Sequence, residues 1–198
     1  MTVQGRYLGV VRDELALASD QARQALAGAD PGTAFYRSNM RRLDATADTG
    51  ALTTQVMTSV PVYLRRGDVV TSISARSGAT AAGTPTNWWF ALYSNAATPA
   101  LLGQTADQLT AAWGATTNKT LPLASPVTIQ VDGVYWVGIM VKATTVPSLV
   151  GASTTASASI VTGEKNLAQT SGSALTTTAP ATIASPTAAA TVPLVILT

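Results

Sequence analysis

Side chains that could carry out acid–base or nucleophilic chemistry are few in this sequence and widely spaced. The 198 residues include no His and no Cys. Their absence removes thiolate nucleophiles, zinc sites of the Cys/His type and the side chain best suited to proton transfer near neutral pH. After residue 50 only four carboxylates occur, and they are Asp68, Asp107, Asp132 and Glu164.

A catalytic acid–base pair would need two of these carboxylates at one site. Asp68 follows Gly67 and Asp132 precedes Gly133, so both are explained as turn residues. Serine hydrolysis would need a lysine as the base, and no nucleophile-elbow pattern accompanies Lys119, Lys142 or Lys165. No phosphate-binding Gly loop occurs either. The sequence therefore predicts a protein that is not an enzyme, with no catalytic residue, cofactor or metal.

The remaining candidates for binding are aromatic side chains in two predicted strands, residues 87–94 and 134–142. Both strands carry large apolar groups on both faces, so each face is expected to be covered, by loops, by the N-terminal arm or by another subunit. The alternative is an exposed platform on which sugar rings stack. The residues of this candidate interface or glycan platform are Trp88, Trp89, Tyr93 and Trp136.

A second candidate contact surface lies near the N-terminus. Apolar residues there recur at spacings of three and four, which predicts an amphipathic helix from about residue 9 to residue 27. Such a helix either lies on its own domain or forms a contact with copies of itself, and the pattern is too short to predict a coiled coil. The candidate oligomer or docking residues on its stripe are Leu8, Val11, Leu15, Ala18, Ala22 and Ala25.

Charge divides the chain near residue 50. The first 50 residues hold six basic and six acidic side chains, and the following 148 hold six basic and four acidic ones. We therefore predict an N-terminal helix and anchoring arm over 1–50, extended from residue 31, and a β domain over 51–198. A surplus of only two positive charges predicts no nucleic-acid binding. The longest apolar run, residues 134–141, is too short to span a membrane as a helix.

The β domain is predicted from seven or eight short strand patterns separated by Gly and Pro. Two pairs of these patterns are expected to form hairpins, 55–64 with 69–76 and 127–131 with 134–142. The whole pattern indicates a mostly β protein, with a jelly-roll-like antiparallel β-sandwich after the N-terminal α-helix and arm. Residues 151–191 are rich in Ala, Ser and Thr, and they are expected to form surface loops unless a neighbouring subunit holds them.

Two segments carry a resemblance to known proteins: Thr84-Pro85-Thr86-Asn87-Trp88-Trp89-Phe90-Ala91-Leu92-Tyr93, and Leu121 to Ser125 followed by Gly133 to Val141. Over residues 50–198 the chain resembles β-sandwich proteins encoded in the structural modules of tailed bacteriophages. The resemblance implies a structural component of the virion surface, with a minor tail protein favoured over a capsid-decoration or head-fibre protein. The alternative is an adhesin module on the virion that binds a glycan or a receptor.

The partners expected on this basis are other virion proteins, further copies of the chain and, for the adhesin alternative, a host surface glycan. A homo-oligomer is expected because the strands with two apolar faces need a second cover. The choice of a trimer comes from the resemblance alone, since projecting phage proteins are often threefold. Localisation in the virion, after assembly in the host cytoplasm, is implied in the same way.

Overall fold

A computed structural model describes residues 35–198, and β-strands are the main regular secondary structure in this part of the chain. The strands are β1 (Arg37–Ser38), β2 (Ala47–Asp48), β3 (Met57–Leu64), β4 (Val69–Arg76), β5 (Asn87–Tyr93), β6 (Leu101–Gln104), β7 (Asn118–Thr128), β8 (Gly133–Lys142), β9 (Val150–Ser153), β10 (Gln169–Ser171), β11 (Thr187–Ala188), β12 (Thr191–Pro193) and β13 (Val195–Leu197). A short 3-10 helix, Arg42–Asp44, follows β1. The predicted N-terminal helix and its six stripe residues lie outside the described residues.

The strands form three sheets in which every pairing is antiparallel. The largest has the order β11-β10-β3-β8-β5-β6, the second β1-β13-β4-β7, and the third β12-β9-β2. The prediction of a mostly β protein with antiparallel sheets is therefore confirmed. Between residues 35 and 198 no helix is long and apolar enough to cross a membrane.

Both predicted hairpins are wrong, although their strands exist. β3 belongs to the six-stranded sheet and β4 to the four-stranded sheet, and β7 and β8 are divided in the same way. The turns at Gly67 and Asp132 therefore carry the chain from one sheet to the other. They also contact each other, because Gly67 N donates to Ile129 O at 2.9 Å and Arg66 N donates to Asp132 Oδ1 at 2.6 Å. A turn signal between two strand patterns does not specify which sheet the second strand joins.

The six-stranded and four-stranded sheets share one hydrophobic core, which we call the inner core. Alternation along β5 directs Trp88, Phe90 and Leu92 into it, together with the even-numbered residues of β3 from Val60. The four-stranded sheet contributes Ile73 from β4. The alternation in the sequence therefore divides the residues of β5 between two faces correctly. The inner face is covered by the opposite sheet, as in a two-layer arrangement.

The outer face of the six-stranded sheet holds a second, smaller core, which we call the outer core. Its members include Met57, Trp89 and Tyr93, and they pack with Ala179 and Ile183 of a later segment. This segment, residues 172–186, crosses the outer face between β10 and β11, and we call it the strap. Residues 151–191 were expected to form surface loops, and the structure instead places part of them on a sheet of the same chain.

Residues 35–50 also join the sheets. β1 pairs with β13 at the edge of the four-stranded sheet, and β2 pairs with β9. Phe35 and Met40 pack against the inner core. The described part of the predicted arm therefore lies within the β structure, because its apolar residues find partners that no periodicity in the sequence reveals.

Candidate functional site

The four aromatic residues of the predicted interface or glycan platform are buried within the chain. Their exposed fractions are 1% for Trp88, 0% for Trp89, 0% for Tyr93 and 3% for Trp136. They are also divided between the two faces, since Trp88 belongs to the inner core and the other three to the outer core. In this arrangement they offer no surface on which a sugar ring could stack. A loop segment of the same chain supplies the cover of the outer face, and loops were one of the three sources of cover expected from the sequence.

The strap is held on the outer core by hydrogen bonds to its backbone carbonyls. Trp89 Nε1 donates to Thr176 O at 2.6 Å, and the Tyr93 hydroxyl donates to Pro180 O at 3.0 Å. Burial raises the pKa of Tyr93, so this phenol stays protonated and can donate. Gln104 both donates to Thr177 O and accepts from Ala179 N.

One residue of the inner core was missed by the sequence analysis. Trp113 lies in a segment of Ala, Gly and Thr that carries no strand pattern, yet it is fully buried. Its ring centroid lies 5.0 Å from that of Trp88 and 5.7 Å from that of Phe90. A lone Trp among small residues is the only signal available in the sequence, because so large an apolar side chain seldom stays in solvent.

The structure does not bring the four later carboxylates together. Asp107 accepts from Asn87 Nδ2 at 2.6 Å and from Trp88 N at 2.9 Å, which fixes the start of β5. Asp68 accepts from Arg65 N at 2.9 Å and from Arg37 Nη2 at 3.1 Å. Each carboxylate therefore serves its own local structure.

The other two carboxylates also accept hydrogen bonds from backbone N–H groups. Asp132 accepts from Arg66 N. Glu164 accepts from the backbone N–H groups of Ile160 and Val161, and these bonds lower the pKa of Glu164. Across residues 35–198 there is no group of three or more Asp, Glu, His or Cys side chains that could hold a metal ion.

A groove of about 400 Å³ lies on the outer face of the four-stranded sheet. We call it the arginine groove. Its polar lining residues are Tyr36, Arg42, Ser74, Arg76, Asn118 and Thr120. Half-buried Leu194 and Ile196 supply its apolar surface.

The polar side chains that line the arginine groove are guanidinium, amide and hydroxyl groups, with no carboxylate among them. Arg76 Nη1 donates to Asn118 Oδ1 at 2.9 Å, and the hydroxyls of Ser74 and Thr120 lie 2.7 Å apart. These pairs are cross-strand neighbours of β4 and β7, so the sheet fixes their spacing. No residue of this groove was predicted, because side chains separated by more than 40 positions meet only through the β4–β7 register.

No protein-family model matches this chain, and no curated protein sequence matches it. The resemblance of residues 50–198 to phage virion proteins therefore stays a prediction. The candidate docking residues of the N-terminal stripe, from Leu8 to Ala25, lie outside the described residues.

Proposed function

We propose that the chain is a structural component of a bacteriophage virion surface, and that its body is a jelly-roll β-sandwich. The observation that carries this proposal is the order of the principal strands. The eight principal strands are β1, β3, β4, β5, β6, β7, β8 and β13. When they are renumbered 1 to 8 in chain order, the four-stranded sheet has the order 1-8-3-6, and within the six-stranded sheet they have the order 2-7-4-5. This interleaving supports the proposed jelly roll, which is an arrangement of two Greek keys found in viral capsid and lectin domains.

The step from fold to function is an analogy at the level of the fold, joined to the sequence resemblance. A structural role is supported by the way the body is closed. The six-stranded sheet has a hydrophobic core on each face, and both are completed by residues of the same chain. Such a body can project from a particle, or cover a seam in it, without depending on a ligand for its stability.

The N-terminal segment is proposed to dock the body on the particle, with a minor tail protein favoured over a capsid-decoration or head-fibre protein. Its point of attachment is firmly held. Asn39 Nδ2 donates to Pro193 O at 2.8 Å, and Asn39 Oδ1 accepts from Val195 N at 2.9 Å. Arg37 pairs with Asp68. Force applied to residues 1–34 would therefore reach the four-stranded sheet through several bonds.

We also propose that the chain forms a homo-oligomer, and that this oligomer is a trimer. The strap covers the outer face of the six-stranded sheet, so the aromatic strands do not require another subunit as a cover. What supports the oligomer is the apolar stripe from Leu8 to Ala25 and the resemblance to projecting phage proteins. The contact is therefore assigned to the N-terminal segment and not to the aromatic strands.

The test uses intact particles of a phage whose genome encodes this chain. We expect mass spectrometry to find the chain in purified virions, and sedimentation equilibrium of the isolated protein to give a trimer. Leu15→Asp places a charge on the stripe and should abolish both trimer and incorporation. The matched control is Leu17→Asp, which makes the same change on the opposite side of the predicted helix and should retain both. Absence of the chain from virions, or equal incorporation of the two variants, would contradict the proposal.

A further inference from the structure

We propose that the arginine groove binds an acidic saccharide, with the guanidinium of Arg76 holding the carboxylate of the sugar. The inference rests on the groove alone and stands whether or not the chain is a virion protein. It also differs from the platform predicted from the sequence, because it uses none of the four buried aromatic residues.

The preference for an anion follows from Arg76. Its side chain is exposed on the wall of the groove, and within residues 35–198 its one hydrogen bond is to a neutral acceptor, Asn118 Oδ1. Within residues 35–198 it has no carboxylate partner. A guanidinium can donate two parallel hydrogen bonds to a carboxylate, which are stronger than bonds between neutral groups. Arg42 adds a second cationic lining residue.

The preference for a sugar follows from the rest of the lining. Ser74 and Thr120 present two hydroxyls side by side, and these can both donate to and accept from the hydroxyls of a sugar. Half-buried Ile196 pairs with Ser74 in the sheet and gives an apolar surface next to this hydroxyl pair. A pyranose ring has the matching combination of polar edge and apolar face. The volume of about 400 Å³ lies within the range of small-molecule sites.

Tyr36 supplies an independent indication that a polar partner is missing. Its hydroxyl is buried, and no group within residues 35–198 lies in hydrogen-bonding geometry with it. The Ser38 hydroxyl and the Arg42 guanidinium are nevertheless near enough to lower the pKa of Tyr36. Burial is the main effect, and it raises the pKa of Tyr36. A buried hydroxyl without a partner destabilises the fold, and most buried polar groups in proteins are paired. Because Tyr36 lines the groove, a ligand oxygen that displaced the cover of this hydroxyl would provide the acceptor.

The rival occupant is the acidic part of the chain's own first 34 residues, which includes Asp13, Glu14, Asp20 and Asp30. That segment joins the body at Phe35, next to a lining residue of the groove. The paired hydroxyls and the apolar surface favour a sugar over an acidic peptide, because a carboxylate side chain would use the guanidinium alone. The experiment is therefore done on the full chain, in which the segment can compete.

The test is calorimetric titration of the full-length protein with digalacturonic acid, using its methyl ester as the neutral control. We expect saturable binding of the acid at millimolar affinity and at least about tenfold weaker binding of the ester. Arg76→Gln should weaken binding of the acid about tenfold, through loss of a charge-assisted bond. Arg66→Gln removes the same charge from an exposed turn at the other end of β4, and it should change nothing.

The variant Tyr36→Phe distinguishes a role of the Tyr36 hydroxyl in ligand binding from a role in stabilising the fold. If the hydroxyl serves the ligand, the variant should bind the acid severalfold more weakly while its unfolding midpoint without ligand stays equal or rises. Three results would overturn the proposal: no saturable binding up to about 20 mM acid, equal affinity for acid and ester, or equal weakening by Arg76→Gln and Arg66→Gln. The first includes the case in which residues 1–34 already occupy the groove.

Discussion

The two faces of the six-stranded sheet are covered by different means. The inner core is closed by another sheet, whose large side chains such as Ile73 and Leu197 interdigitate with those of β5 and β8. The outer core is closed by the strap, which is composed mainly of Ala, Thr, Ser and Pro. The strap buries few large side chains of its own and is held by hydrogen bonds from Trp89, Tyr93 and Gln104 to its backbone. A segment of low hydrophobicity can thus cover an apolar face when that face supplies the donors.

The largest effect is expected from a cavity in the inner core. Phe90 is fully buried there and contacts the ring of Trp113. Phe90→Ala should lower the free energy of unfolding by about 3–5 kcal/mol, because a cavity remains where the ring was. Chemical denaturation would measure the loss. A loss below about 1 kcal/mol would show that the two sheets do not share a close-packed core.

A smaller and more local effect is expected at the strap. Trp89→Phe removes the donor to Thr176 O and should lower the free energy of unfolding by about 2 kcal/mol. Its matched control is Trp88→Phe, which removes a similar bond to Ala111 O on the inner side. Hydrogen exchange of the Leu175 and Ile183 amides, which are bonded to Gln55 O and Pro99 O, reports opening of the strap.

We expect these two amides to exchange faster in Trp89→Phe while remaining protected in Trp88→Phe. The physical reason is that the strap can open without separating the sheets, as a unit of lower local stability. Equal protection in the two variants would mean that the strap and the inner core unfold together. The covers of the two faces would then differ in amino-acid composition but not in local stability.

The two faces of the six-stranded sheet can also be compared by removing one hydroxyl oxygen from a tyrosine on each face. Tyr93 OH donates to Pro180 O in the strap, and Tyr135 OH donates to Val131 O at the edge of the inner core. Each Tyr→Phe change should lower the free energy of unfolding by about 1 kcal/mol. Only Tyr93→Phe should increase proteolysis within residues 172–186. Cleavage there in both variants would show that the strap responds to global stability.

The inner core could be predicted from the sequence far better than its surroundings. The alternation in β5 and β8 specified both faces correctly, because strand periodicity is a local property of the chain. The topology could not be predicted, since a turn such as the one at Gly67 is compatible with a hairpin or with a crossing between sheets. The strap was missed for a different reason: its contribution comes from backbone carbonyls, which every sequence possesses. The arginine groove could not be predicted either, because its residues meet only through the register of β4 with β7.

The smallest expected effect is the dependence of stability on pH, and it again separates the two faces. Between about pH 6 and 8 the unfolding midpoint should stay constant, because the chain has no His or Cys. Burial raises the pKa of Tyr93, whereas an unfolded tyrosine ionises near pH 10. Above about pH 10 the unfolded state therefore binds fewer protons than the folded state, and stability falls as the pH rises.

In urea titrations at pH 8 and pH 11, Tyr93→Phe should lose less stability between the two values than the unchanged chain. Tyr63→Phe removes a hydroxyl from an exposed position and serves as the matched control. An identical loss in all three would show that the Tyr93 phenol reaches solvent at high pH, and that the strap does not seal the outer core.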